Sequence, residues 1–171
     1  MGRLWDKYTG TRYPDSGVTA LPTMELREAL LAVNGTDVPF RVRHALAKEK
    51  ADLVAEWRVM KPAVGSGLSR RQAELRLKIR MRFVPEKREV RTLDEQVQLT
   101  WAGDPPRLAV TRESGSGPSM TVSREWTYEK GPDGRRRKVE TFRFDSRDMK
   151  NPLRDMVLGA GWTWRGVVYR L

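Results

Sequence analysis

The chain has 171 residues, enough for one domain to bury a core without covalent staples. It contains no Cys, which excludes a disulfide framework, thiolate chemistry and a Cys-based metal site. Its 33 Lys and Arg against 22 Asp and Glu give a net charge of +11, which draws polyanions, nucleic acid and anionic membrane first among them. Arg outnumbers Lys, so a GC-rich coding bias and plain solubility produce the same dispersed charge. No apolar run approaches the ~18 residues of a membrane span, and Met1–Lys7 has no apolar segment of the secretory kind. The cytoplasm is the expected compartment.

In chain order, residues 1–22 mix Trp5, Tyr8 and Tyr13 with Gly, Thr, Pro and Asp in no clear period, which predicts an irregular arm lying against the domain. Thr23 suits a helix N-cap. Leu26, Leu30 and Val33 then fall at helical spacing and Asn34-Gly35 stops them, so a helix is predicted over 23–33. From there the pattern turns to strands. Phe40–His44 alternates, and Leu53, Ala55, Trp57 and Val59 share one side of the next segment. Residues 61–72 read as a loop, with a helical turn near Ser69–Ala73.

Leu75 to Phe83 is the most informative stretch. Leu75, Leu77, Ile79, Met81 and Phe83 alternate with Arg76, Lys78, Arg80 and Arg82. Period 2 of this kind predicts a strand with one face in a core and four aligned cations on the other. Pro85–Arg88 turns it, Glu89–Leu93 returns as a hairpin strand, and Gln96–Trp101 alternates as a further strand before Gly103-Asp104-Pro105-Pro106. Arg107–Arg112 is a short strand and Ser114–Pro118 a loop. Met120–Tyr128 and Val139–Asp145 flank the strong turn Gly131-Pro132-Asp133-Gly134. Asn151-Pro152 opens a predicted helix over 152–160, with Leu153, Met156, Val157 and Ala160 as its apolar stripe. Trp162–Tyr169 reads as a last strand. The expected fold is β-rich α+β: a curved antiparallel sheet or barrel of about 8–9 strands, with one N-terminal and one C-terminal helix, as a single domain over 23–171.

Three tracts carry a resemblance: Ala51–Val59, Phe142-Arg143-Phe144-Asp145-Ser146, and Leu158–Val168 with its Gly159-Ala160-Gly161-Trp162-Thr163-Trp164. From about residue 24 onward the chain resembles a family of small hypothetical proteins of actinomycete bacteria. That family has no established function, so the likeness implies no catalytic residue. A weaker, fold-level likeness is to the scramblase and tubby-like superfamily, which includes the LURP-one proteins. It implies an antiparallel barrel around a hydrophobic C-terminal helix, and a phosphoinositide-like ligand for some members. The chain departs from that plan because a strand-like segment follows its short last helix. Fold likeness does not fix function.

The residues that could carry chemistry are few. His44, the single histidine, has no ligand or nucleophile placed near it, so it reads as an ordinary strand residue. Asp52, Glu56, Asp94, Glu95 and Asp145 offer carboxylates, as any chain of this length does; Glu56 suits cross-strand pairing with an Arg. The Gly-rich stretches at 65–67, 114–117 and 159–161 lack dinucleotide and P-loop spacing and read as turns. Neither a metal nor a cofactor is expected.

The anion-binding candidates are Arg76, Lys78, Arg80, Arg82 and Arg91. Residues 70–91 hold nine cations against Glu74, Glu86 and Glu89. Cations two apart on one face repel, so neighbouring strands supply acids (Glu56, Asp94 and Glu95 are at hand) or the face meets an anion. Arg135–Lys138 forms a second basic cluster. Most of the six tryptophans read as core; Trp57, Trp162 and Trp164 are the candidates for a cavity wall. The aromatics lie on the register opposite the basic one, so an RNA-binding sheet of the RRM or OB type is not supported. The reading these features support is a non-enzymatic binding domain for an anionic or apolar ligand, lipid-like or a small molecule. The alternatives are a nucleic-acid-associated protein gripping phosphates with the basic sheet face, an enzyme, which would need a polar cleft with perturbed carboxylates of which the sequence shows no sign, and a structural protein–protein module anchored by Trp5, Tyr8 and Tyr13.

Overall fold

The two longest strands organise the molecule, which is described by a computed structural model over residues 2–103, 107–109, 115–116 and 122–171. These are β3 (Arg71–Val84) and β4 (Glu89–Ala102), paired antiparallel along their whole length, from Arg71 opposite Ala102 to Val84 opposite Glu89. A single helical turn at Pro85–Lys87 joins them. Arg88 closes it in the left-handed region at φ 49°.

Around this hairpin, β1 (Arg41–His44) pairs with β2 (Leu53–Met60), and β2 with β3. On the far edge of β4 lie β5 (Arg107–Ala109), β6 (Gly115–Ser116) and β9 (Thr163–Gly166). The β4–β9 pairing is parallel; all the others are antiparallel. A separate ribbon is built from β7 (Val122–Lys130) and β8 (Arg136–Asp145). Three helices complete the described residues: α1 (Gly2–Thr9), α2 (Thr23–Ala32) and α3 (Arg147–Gly159). The chain is thus β-rich α+β, as the alternation predicts, and its main sheet is open, not closed into a barrel.

The core lies on one face of this sheet. Leu75, Leu77, Ile79, Met81 and Phe83 of β3 are buried there, beside Leu53 and Ala55 of β2. Against them pack Leu26 and Leu30 of α2, and Met149, Leu153 and Val157 of α3. Burial of such side chains stabilises by about 1.5–3 kcal/mol each, which is why the amphipathic pattern decides where the helices sit.

Four expectations are corrected. Residues 2–9 form a helix where an irregular arm was expected. Its apolar side chains Leu4, Trp5 and Tyr8 are exposed and only Thr9 is buried, so no core-facing stripe announced it. The stretch after it docks through Arg12 and Trp164, each backbone N–H donating to the other's carbonyl at 2.8 and 2.9 Å.

Glu89–Leu93 and Gln96–Trp101 are one strand. Asp94 and Glu95 do not interrupt the ladder because each finds a cation: Lys150 at 2.6 Å and Arg80 at 2.8 Å. The last helix starts at Arg147, five residues earlier than Pro152 suggested. The Asp145 carboxylate accepts the Arg147 backbone N–H at 3.0 Å and the same residue's guanidinium at 2.6 Å, holding the first turn. Pro152 is accommodated inside the helix. Last, the turn before β3 is at Gly67–Ser69, not Ser69–Ala73. The readings at 104–106, 110–114 and 117–121 lie outside the described residues.

Candidate ligand cleft

The sheet face away from the core is built in rows, because residues paired across antiparallel strands share a face. One row is Met60, Glu74 and Leu99; the next is Arg58, Arg76 and Val97; then Glu56, Lys78 and Glu95; then Val54, Arg80 and Leu93. Arg82 stands opposite Arg91 at the end. The apolar residues of the second half of β4, Val97, Leu99 and Trp101, therefore lie on the cationic face of β3. Their polar neighbours Gln96 and Gln98 face the core register of Leu77 and Leu75.

Acids from β3 itself, from its neighbouring strands and from one crossing turn neutralise much of the basic row. Glu74, 8% exposed, is shared: Arg58 Nε donates to its Oε1 at 2.9 Å and an Arg76 terminal nitrogen to its Oε2 at 3.0 Å. Glu49, from the turn Ala47–Glu49, accepts from Arg43 at 2.7 Å and Lys78 at 3.1 Å. Glu56 takes Arg43 at 2.6 Å and Lys78 at 3.5 Å. Hydrogen bonds from these cations hold the Glu49, Glu56 and Glu74 carboxyls below the usual glutamate range against the opposing effect of burial. They stay ionised at neutral pH, so none is poised as a general acid.

An open cleft of about 600 Å³ lies on this face, lined by Glu56, Arg58, Arg76, Leu77, Lys78, Glu95, Val97 and Leu99. That size falls in the ordinary range for small-molecule sites, roughly 300–1,000 Å³. Val97 and Leu99 provide an apolar side. Arg58, 64% exposed, gives Glu74 only its Nε; its terminal nitrogens have no partner among the described residues. Arg76 is 41% exposed and likewise keeps donors in reserve. The arrangement can bind an anion beside an apolar surface. Among the described residues no group of three or more His, Cys, Asp or Glu side chains converges as a metal ion would require. None of the described helices is long and apolar enough to cross a membrane.

Of the five anion-binding candidates, Arg76 and Lys78 line the cleft. Arg80 lies under the Glu49 turn, donating to the Glu49 carbonyl at 2.6 Å and paired with Glu95. Arg82 reaches the Leu171 carbonyl at 3.5 Å, and Arg91 pairs with Glu89 at 2.8 Å. The three tryptophans face elsewhere. Trp57 is half-buried on the core side with its ring 4.6 Å from that of Phe144. Trp162 and Trp164 are core residues, 2% and 0% exposed; Trp162 Nε1 donates to the Leu21 carbonyl at 2.8 Å. Arg58, Val97 and Leu99 were not singled out from sequence. The alternation of Gln96–Trp101 was visible, but assigning its apolar side to this face needs the β3–β4 register.

No protein-family model matches the chain, and neither does any curated protein or solved structure.

Proposed function

We propose that this protein is a non-enzymatic binding domain whose cleft takes a small amphipathic anion, with an apolar body against Val97 and Leu99 and an acidic head at Arg58 and Arg76. The observation that carries this reading is the juxtaposition in one cleft of guanidinium donors left over from Glu74 with an apolar strip. A planar guanidinium matches carboxylate, sulfonate and phosphate oxygens bidentately, so it favours an oxyanion head over a simple halide. Calorimetric titration with naphthalene-1-sulfonate and its neutral sulfonamide tests it. The anion binds with one-to-one stoichiometry and at least about ten-fold more tightly than the amide. Equal affinity for the two, or binding of neither, rejects the reading.

A further inference from the structure

The ribbon of β7 and β8 carries a second surface, unrelated to the cleft. Its pairing carries a register shift between Glu125 and Trp126, where Glu125 pairs with Phe142 but Trp126 with Glu140. The extra residue is therefore on β8, a β-bulge, and it changes which side chains of β8 share a face. On the inner face are Phe144, buried, and Phe142, half-buried, both packed with the core. Without the bulge, Lys138 and Arg136 would continue that inner face. With it, they join the outer one.

The outer face then reads, in paired rows, Arg124 with Arg143, Trp126 with Glu140, Tyr128 with Lys138, and Lys130 with Arg136. All eight side chains are exposed. Trp126 is 44% and Tyr128 71% exposed, large aromatics that a hairpin normally hides. Five cations stand around them with one acid. Lys130 and Arg136 are directly opposite, a destabilising like-charge pair, with no carboxylate bound to either among the described residues. Lys138 Nζ sits 4.3 Å from the Trp126 ring centroid.

We infer that this outer face binds single-stranded nucleic acid. Exposed aromatics interleaved with cations are what a sequence-tolerant single-strand surface needs: rings on which unpaired bases stack and charges that follow the phosphates. Trp126 and Tyr128 are two residues apart on one strand, about 7 Å, so they present successive platforms. A base stacking on Trp126 displaces Lys138, whose ammonium then moves to a phosphate; an exposed cation–π contact is weak and readily exchanged. The face suits a duplex poorly because paired bases hide their rings. Exposed Trp and Tyr also settle at bilayer interfaces, so the vesicle arm of the test below separates the two partners.

Fluorescence anisotropy of the full chain with a labelled 12-nucleotide oligo(dT), across a salt series, tests this. The wild type binds, with affinity falling steeply with salt. Trp126→Ala with Tyr128→Ala weakens binding at least about ten-fold and leaves the salt slope unchanged; Trp126→Phe restores most of the affinity. Lys130→Gln with Arg136→Gln reduces the slope by about 1.4, roughly 0.7 per phosphate contact. Arg3→Gln, exposed on α1 and in neither site, leaves oligo(dT) binding unchanged. Circular dichroism confirms that the variants fold. Undiminished affinity in the aromatic variant overturns the inference. So does tighter binding to a 12-base-pair duplex, or to phosphatidylserine vesicles, than to the single strand.

Discussion

Arg58 and Arg76 stand directly opposite one another on adjacent strands and share a single carboxylate, Glu74, buried between them. Like charges in this position repel, and one acid between two guanidiniums leaves a net positive charge at the cleft. Two variants separate structure from binding. Glu74→Gln leaves both guanidiniums without a counter-charge and destabilises the fold by about 1–3 kcal/mol, read as a shift of the urea midpoint. Arg58→Met removes the exposed partner of a pair, which costs at most about 1 kcal/mol, yet weakens naphthalene-1-sulfonate about ten-fold. If Arg58→Met binds the sulfonate as the wild type does, the head group is not held at that row.

Acid should unfold the protein through the same carboxylates. Glu49, Glu56, Glu74, Glu89 and Asp145 are all held below their ordinary values in the fold, chiefly by hydrogen bonds from Arg side chains; at Glu89 burial is the larger but opposing effect. A depressed folded value means the unfolded chain takes up protons first. The stabilisation is complete at neutral pH, starts to fall as pH drops through the usual glutamate value of 4.5, and keeps falling toward the depressed values. Glu49→Gln should lower stability at pH 7 by about 2 kcal/mol and flatten the loss between pH 5 and 3, by about one carboxylate's share. A parallel pair of stability curves for wild type and variant contradicts this.

Trp162 and Trp164 differ in one respect that a matched pair of substitutions exposes. Both are buried, but only Trp162 has its indole N–H satisfied, by the Leu21 carbonyl; Trp164 Nε1 is buried without an acceptor among the described residues. Trp162→Phe and Trp164→Phe remove similar volume. Trp162→Phe should be the more destabilising by about 1 kcal/mol, the worth of the lost hydrogen bond. Denaturant titration of the two variants gives the difference directly, and the opposite order refutes the assignment.

Local patterns were legible where one residue's environment repeats at a fixed period. Leu75–Phe83 revealed its strand and both faces because each apolar residue meets the core and each cation does not. The pairing of Glu56 and Glu95 with cations of that strand followed from the repulsion itself. What escaped depends on register. Val97 and Leu99 reach the cationic face only because Arg76 pairs with Val97 and Glu74 with Leu99. The β8 bulge that turns Lys138 and Arg136 toward Trp126 and Tyr128 leaves no mark in composition. Asp94 misled in the other direction: as a charged residue it reads as a break, and Lys150, distant in sequence, lets the strand continue.

The cleft itself is tested most directly by titrating isotope-labelled protein with naphthalene-1-sulfonate and following backbone amide shifts. Saturable changes should map to Glu56–Arg58, Arg76–Lys78, Glu95, Val97 and Leu99, the three strands that line the cleft, and should vanish with Arg58→Met. Absence of saturable shifts there, or shifts confined to the β7–β8 ribbon, would contradict the assignment of this face as a ligand site.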